Sequence, residues 1–316
     1  MLNFFEKFKN AFSHEVEKSL SEKYLLDKNQ YESLIMLIGK LHIERVKNIK
    51  KIHSLEQVEF KVFSQFGVDG IIQFLINSIN IPSKTFIEFG VENYLESNTR
   101  FLLMNDNWEG LIIDGSKEHI KFIKKDRIYY RHNLTAVASF ITKDNINKII
   151  ESNLKTKDIG LLSIDIDGND YWVWKEIDVV SPIIVACEYN SLFGFKDALT
   201  IPYKKDFSVL KAHYSCLYFG ASIKALVDLA EKKGYHFIGC DSEGVDAFFV
   251  RKDFAKPFKN LTAKEGFVKG KFRISRDKQG NFNYLDRRQA INTIEKTKIY
   301  DIKLKKIVPL ENYQLD

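Results

Sequence analysis

Between Thr85 and Arg251 short apolar runs alternate with stretches of helical period, and that alternation restricts the chain to an α/β architecture. The runs are TFIEF (Thr85 to Phe89), GLIID (Gly110 to Asp114), IYYRHNL (Ile128 to Leu134), LLSIDID (Leu161 to Asp167), IIVACEY (Ile183 to Tyr189), YHFIGCD (Tyr235 to Asp241) and DAFFVR (Asp246 to Arg251). Helices are expected at Asn98 to Met104, Glu118 to Lys125, Asp144 to Leu154, Tyr171 to Ile177 and Ser222 to Lys233, the last closed by Gly234 as a C-cap. Apolar runs separated by helices read as strands of a parallel sheet covered on both faces. The last two runs are joined only by a short Ser-Glu-Gly turn and so are expected to pair antiparallel. The expected fold is a mostly parallel, seven-stranded Rossmann-type sheet with an antiparallel last strand.

Two amphipathic segments precede this region. Leu2, Phe5, Phe8, Phe12, Val16 and Leu20 form one stripe, and Leu34, Ile35, Leu37, Ile38, Leu41 and Ile49 form a second. Together they define a helical N-terminal extension over residues 1–60, whose first stripe fits packing on the fold or on a second subunit; a homodimer is expected. The opposite face of that stripe, with Glu6, Lys7, Lys9, Glu17 and Lys18, is mixed in sign and disfavours an interfacial membrane helix. The α/β domain spans 61–253. Residues 254–316 form a basic α/β extension, in which RISRDKQGNFNYL reads as two strands about a Lys-Gln-Gly-Asn turn, followed by a helical stretch and the charged YDIKLKKIVPL.

The formal net charge of +6 conceals a division. Residues 61–250 carry 21 basic and 25 acidic side chains, whereas residues 251–316 carry 17 and 8. No nucleic-acid partner is expected, because the excess is confined to the last fifth of the chain. Cys187, Cys216 and Cys240 are too few and too scattered for a disulfide framework and read as packing residues. No apolar run approaches the roughly 18 residues of a membrane span, and charges interrupt the first apolar pairs, so no signal peptide is expected. A cytoplasmic protein follows as the expectation.

In an open parallel sheet a ligand binds beyond the carboxyl ends of the strands, near the point where strand order reverses. The expected strand ends carry Glu88 and Gly90 (FIEFG), Asp114 (IIDGS), Asn133 (RHNL), Asp165, Asp167 and Asp170 (SIDIDGND), and Glu188 and Asn190 (CEYN). A sheet that serves only as scaffold has no need of a carboxylate or amide at every end. An acid closing the second strand suits two ribose hydroxyls, since one carboxylate accepts two hydrogen bonds. A dinucleotide calls for G-x-G-x-x-G after the first strand, with its pyrophosphate on a helix N-terminus. The turn here, Gly90-Val91-Glu92-Asn93-Tyr94, has one glycine and an added carboxylate, which repels a pyrophosphate and attracts a cofactor carrying sulfonium and ammonium groups.

The segments SQFGVDGIIQFL, FIEFGVENYLESNTRFLL, LIIDGS, LLSIDIDGNDYWVWKEI, IIVACEYN and YFGASIKALVDLAEKKGYHFIGCDSEGVDAFFVR resemble the FkbM-type S-adenosylmethionine-dependent methyltransferases. They are closest in kind to a bacterial branch that opens on a Ser-Gln-x-Gly-x-Asp motif. The resemblance covers about Phe63 to Arg251 and implies a class I methyltransferase-type Rossmann fold. It implies methyl transfer, commonly to a hydroxyl of a sugar or secondary metabolite, often in surface-polysaccharide pathways. By position it implies cofactor roles for Glu88, Gly90, Asp114, Ser116, Asn133 and Asp165, with Ser64, Gln65 and Asp69 closing over the cofactor. The first loop departs from the family in carrying Glu92 and Tyr94 where small residues are common.

Alternate residues of a strand face one side, so Asp165 with Asp167, and Glu188 with Asn190, project together from neighbouring strands about 5 Å apart. Such hard oxygen ligands suit Mg²⁺ or Ca²⁺, which would hold a sugar diol and lower the pKa of its hydroxyl. The alternative is that Asp165 and Asp167 orient the methyl donor and cap the following helix. For a hydroxyl acceptor the candidate bases are His213, in the insertion ALTIPYKKDFSVLKAHYSCLYFG, and Asp167. Acceptor recognition is expected from Tyr189, Tyr203, Lys204 and Tyr214; Trp172 and Trp174 read as packing residues, with sugar stacking as the alternative. The expected activity is O-methylation of a sugar, a glycan precursor or a small hydroxylated metabolite, with S-adenosylmethionine as donor and Mg²⁺ as a further cofactor. The alternatives are transfer to an amine or phosphorus-linked nitrogen, and an inactive Rossmann-like binding subunit.

Overall fold

A computed structural model of the protein describes residue 23 and residues 29–49, 51–271 and 273–315. The stripe from Leu2 to Leu20 lies outside the described residues. Helix α1 covers 29–47, overlapping the second amphipathic segment but starting before it and ending short of Ile49. It buries Ile43 and Val46 on the fold while Leu34, Leu37 and Leu41 stay exposed. After it come α2 (Val68–Ser78), β1 (Thr85–Phe89), α3 (Arg100–Asn105), β2 (Glu109–Asp114), α4 (Lys117–Lys125), α5 (Arg127–Arg131), β3 (Leu134–Ala138), α6 (Ile146–Asn153), β4 (Asp158–Ile164), α7 (Asp170–Glu176) and β5 (Ser181–Glu188). The remainder comprises β6 (Leu199–Thr200), α8 (Val209–Ala212), α9 (Ile223–Lys232), β7 (Tyr235–Cys240), β8 (Asp246–Arg251), α10 (Ala263–Gly266), α11 (Arg287–Ile294), β9 (Lys298–Asp301) and β10 (Lys306–Pro309).

Seven strands form one sheet in the order β3-β2-β1-β4-β5-β8-β7. Strands β1 to β5 are parallel, and β8 runs antiparallel to both β5 and β7. The order reverses between β1 and β4, where a Rossmann-type sheet opens a crevice. Every residue of β1 is buried, as a strand covered on both faces must be. One hydrophobic cluster, with Phe86, Ile112 and Phe248, meets α1 and α2; another, with Ile87, Leu162, Trp174 and Phe249, meets α6, α7 and α9. Helix α9 shows how sequence sets such a layer. Ser222 accepts the Ala225 N–H at 3.2 Å to cap it, and Ile223, Leu226, Leu229 and Ala230 turn inward.

The segment IYYRHNL is not a strand. Asp126 accepts the Ile128 N–H at 2.9 Å and starts α5, of whose five residues only Ile128 is buried; β3 begins at Leu134. The basic C-terminal extension folds onto the insertion that follows β5. Strand β9 pairs with β10 and also with β6, giving a second sheet ordered β10-β9-β6. Phe193, Leu199, Ile201 and Phe207 of the insertion pack there with Ile294, Ile299 and Leu310. The two strands expected about the Lys-Gln-Gly-Asn turn do not form among the described residues; a single isolated bridge between Arg276 and Phe282 flanks the turn instead.

Candidate active site

The carboxyl ends of β1 to β5 open into a cavity of about 770 Å³, a size suited to a cofactor or substrate. Gly90 follows β1 with φ +70°, and a Cβ there would lie 1.7 Å from the Asp165 carbonyl oxygen. The two strand ends therefore meet at a position open only to glycine. Beyond it, Glu92 and Tyr94 take φ values of 46° and 62°, so the loop turns sharply without further glycines. Glu88 lines the cavity but is engaged. It accepts Asn98 N–H at 2.7 Å and Thr99 N–H at 3.2 Å, and the Thr99 hydroxyl at 2.5 Å, fixing the start of α3. Burial pushes its pKa up to about 7.

Within the Ser-Gln-x-Gly-x-Asp motif the residues divide by role. One oxygen of buried Asp69 accepts the N–H groups of Val62, Phe63 and Ser64 and the Ser64 hydroxyl, all within 2.7–2.9 Å. Asp69 does not line the cavity, whereas Gln65 and Phe66 do. The acid shapes a loop and the loop presents Gln65.

Asp114, at the end of β2, lines the cavity. Its Oδ2 accepts Glu92 N–H at 2.8 Å and its Oδ1 accepts Ser116 N–H at 2.7 Å; His119 Nδ1 lies 3.2 Å from the same Oδ1. The carboxylate is thus oriented while Oδ2 keeps a lone pair for a ligand. Ser116 does not line the cavity; its hydroxyl caps α4 by accepting His119 N–H at 3.2 Å. Asn133 lies at the amino end of the strands, away from the cavity. It precedes β3 and its amide donates to Glu109, the first residue of β2, because the strand starts later than its apolar run. The carboxyl end of β3 instead supplies Ser139, Phe140 and Ile141 to the cavity.

The IDIDGND block behaves as one unit. Asp170, fully buried, accepts Ile166 N–H at 2.8 Å and Gly168 N–H at 2.9 Å, and burial raises its pKa to about 6. It thereby holds Asp167 in a left-handed conformation, φ 54°. Asp165 and Asp167 line the cavity with Glu188, and one carboxylate oxygen from each comes within 4.8 Å of the others. Burial raises the pKa of both Asp165 and Glu188, and the neighbouring carboxylates raise them further. Glu188 is 8% exposed, and its Oε2 has no hydrogen-bond partner. Asn190 does not join this group. Its amide donates to the Leu217 and Phe219 carbonyls at 3.0 Å each and its oxygen caps Leu192 N–H, so it organises the insertion.

Of the residues expected to meet an acceptor, Tyr189 lines the cavity, while Tyr203, Lys204, Tyr214 and His213 do not. The His213 Nδ1 lies 2.7 Å from the Ser215 hydroxyl and its ring rests on Tyr214. Tyr203 packs near Trp172 and Lys143, and Lys204 pairs with Asp206 at 3.6 Å. These side chains ride on the outer turn of the insertion, whose inner side brings Phe207, Val209, Cys216, Leu217 and Phe219 to the cavity. Trp174 is buried against Phe249, and Trp172 donates to the Ile201 carbonyl at 2.9 Å. Sequence reasoning also missed Asp246, at the start of β8, and, from beyond the resembling region, cavity-lining residues that include Gly270, Lys271, Arg273, Asp286 and Arg287. The positive excess of residues 251–316 was the signal that set the latter group apart.

No family model matches the chain, and no curated protein matches it. Among solved structures it is similar to the N-terminal domain of EvdMO1 in the presence of SAH and D-fucose, at 9% identity, 58% of this chain, 82% of that one and a TM-score of 0.37. It is similar to an O-methyltransferase from Bacillus cereus in complex with SAH, at 13% identity, 70% and 89% coverage and a TM-score of 0.36. A third is PKMT2 from Rickettsia typhi in complex with AdoHcy, at 11% identity, 62% and 55% coverage and a TM-score of 0.40. The sheet itself is a seven-stranded Rossmann-like one with an antiparallel pair at one edge. Among the described residues no helix is long and apolar enough to cross a membrane.

Proposed function

We propose that the protein is an S-adenosylmethionine-dependent methyltransferase that acts on a hydroxyl group, on a sugar, a glycan precursor or a small hydroxylated metabolite. The supporting observation is a single cavity that collects the Gly90 turn, Asp114, the β3 end and the Asp165, Asp167 and Glu188 carboxylates. When bound, the donor supplies a methyl group made electrophilic by its sulfonium charge. Asp114 would hold the ribose hydroxyls, and Gln65, with the Ser139 to Ile141 edge, would flank the base. The carboxylates of Asp165, Asp167 and Glu188 would face the reacting end of the acceptor. Transfer forms the oxygen–carbon bond as the sulfur–carbon bond breaks, and the hydroxyl proton must leave; Asp167, the most exposed of the three, would take it.

The same three carboxylates fit a divalent cation. An oxygen as buried as Glu188 Oε2 is costly to leave without a partner, and hard oxygen donors from two strand ends meet the needs of Mg²⁺. Such a cation would polarise an acceptor oxygen. We also propose a homodimer through the exposed α1 face of Tyr31, Leu34, Leu37, Ile38 and Leu41, and a cytoplasmic site of action; sedimentation and cell fractionation check these two points.

The central test is calorimetric titration with S-adenosylmethionine. Asp114→Ala removes a charge-assisted hydrogen bond to a ribose hydroxyl, about 1.5–3 kcal/mol, so affinity falls roughly 10- to 150-fold. Unchanged affinity would refute the ribose assignment. For the cation, Mg²⁺ titration should show binding that Glu188→Gln weakens at least tenfold; full turnover in excess chelator would exclude a required metal.

A further inference from the structure

The cavity is divided by charge. Acids reach it from the strand ends (Asp114, Asp165, Asp167 and Glu188) and from the loop after β1 (Glu92 and Glu96), while Lys271, Arg273 and Arg287 reach it from the C-terminal extension. The residues flanking Lys271 and Arg273 tie the extension, as a strap, to the end of β5, the β7–β8 turn and the insertion. The Tyr189 hydroxyl donates to the Val268 carbonyl at 2.6 Å, Gly270 N–H to the Ser191 hydroxyl at 3.1 Å, Lys271 N–H to the Glu243 carbonyl at 2.9 Å, and Arg276 N–H to the Ser215 carbonyl at 3.2 Å. Gly270 passes so close to the insertion that a Cβ there would lie 2.5 Å from the Ser191 hydroxyl oxygen.

Arg273 is the best prepared of the three cations. Its Nε donates to the Leu285 carbonyl at 3.2 Å and one terminal nitrogen donates to the Tyr284 carbonyl, so the guanidinium is oriented by neutral acceptors. Among the described residues it forms no ion pair with a carboxylate. Two of its five N–H groups are used, and the rest of the fork has the geometry that grips phosphate oxygens in pairs. Lys271 is exposed and makes a 3.4 Å contact with half-buried Glu243. Asp286 also lines this end, but its carboxylate caps α11 by accepting Gln289 N–H at 2.9 Å.

We infer that the acceptor carries a phosphate group, as a sugar phosphate or nucleotide sugar, held by Arg273 with Lys271 and Arg287, while its neutral hydroxyl end faces the strand-end carboxylates. The charge division itself sets this orientation, since the reverse would put phosphate against carboxylates. The inference rests on the methyl-transfer reading for the identity of the reacting end.

The test is calorimetry on the full chain saturated with S-adenosylhomocysteine, using glucose, glucose 1-phosphate and UDP-glucose as probes. At least one phosphorylated probe should bind tenfold or more tightly than glucose, and the tighter of the two distinguishes a sugar phosphate from a nucleotide sugar. Arg273→Gln combined with Arg287→Gln should weaken that probe at least tenfold with S-adenosylhomocysteine affinity unchanged. The paired Arg→Lys variant should keep affinity within threefold. Equal binding of glucose and both phosphorylated probes, no binding of any probe, an unaffected Gln variant, or equal loss in the Lys variant would each overturn the inference. Failure of S-adenosylhomocysteine to bind, with phosphorylated probes still retained through Arg273, would strike the methyl-transfer reading alone.

Discussion

A Cβ at Gly90 would sit 1.7 Å from the Asp165 carbonyl oxygen, and the residue's φ of +70° adds a backbone cost for any other amino acid. Neither neighbour can yield cheaply. Gly90 N–H donates to the Ile113 carbonyl at 3.0 Å, and the Asp165 turn is stapled by Asp170. Gly90→Ala should therefore cost about 3 kcal/mol by overpacking and strain together, read as a lower urea midpoint with an unchanged m value. The surviving folded fraction should bind S-adenosylmethionine more weakly, because the Asp165 turn is displaced. Stability equal to that of the wild type would mean that the β1 and β4 ends do not meet as described. Asp69 and Asp170 follow the same logic at residue scale. Each is a buried acid that accepts backbone N–H groups and thereby aims a neighbour, Gln65 in one case and Asp167 in the other.

At the scale of elements, the strap joins the C-terminal extension to the sheet through few bonds, so one bond can be removed without touching the strand-end carboxylates. Tyr189 is buried and its hydroxyl donates to the Val268 carbonyl at 2.6 Å. Tyr189→Phe leaves that carbonyl short of a donor and costs about 1 kcal/mol at the strap. Acceptor KM should rise roughly fivefold while donor affinity stays within twofold; a loss of donor affinity instead would place Tyr189 on the donor side of the cavity. The strap also marks the limit of what the chain discloses locally. The runs that became β1, β2, β4, β5, β7 and β8 were legible because each is buried over most of its length and bounded by turns or helices. IYYRHNL was misread because α5 is a five-residue helix capped by Asp126, too short for its period to show in composition. Asn133 was lost with it, and Ser139 to Ile141 were missed. Tyr203, Lys204, His213 and Tyr214 belong to an irregular insertion, where the face turned to the cavity is set by pairing with β9 and by distant bonds such as Asn190 to Leu217. Those contacts span long separations and leave no periodic trace.

Across the whole molecule the acid side chains gathered near the cavity set how stability depends on pH. Burial raises Asp170 and Asp241 to about 6 and Glu88 to about 7; burial and the charge of Asp241 raise Asp246 to about 8. In the unfolded chain carboxyls titrate near 4, so between about pH 4 and pH 8 the folded state binds more protons than the unfolded state. The derivative of unfolding free energy with pH is then negative, and stability falls as pH rises through this window. Within this window the protein should melt at its highest temperature near pH 4 and progressively lower toward pH 8, the reverse of a protein held by carboxylate ion pairs. Asp246 offers a clean probe, since it is 8% exposed and lies 3.4 Å from the Asn98 amide. Asp246→Asn keeps the shape and removes the charge, so it should raise the melting temperature at pH 8 and change it little at pH 5. Scanning calorimetry of both proteins at the two pH values decides the matter, and a melting temperature that climbs from pH 5 to pH 8 in the wild type would show that these carboxyls are ionised and paired in the folded state.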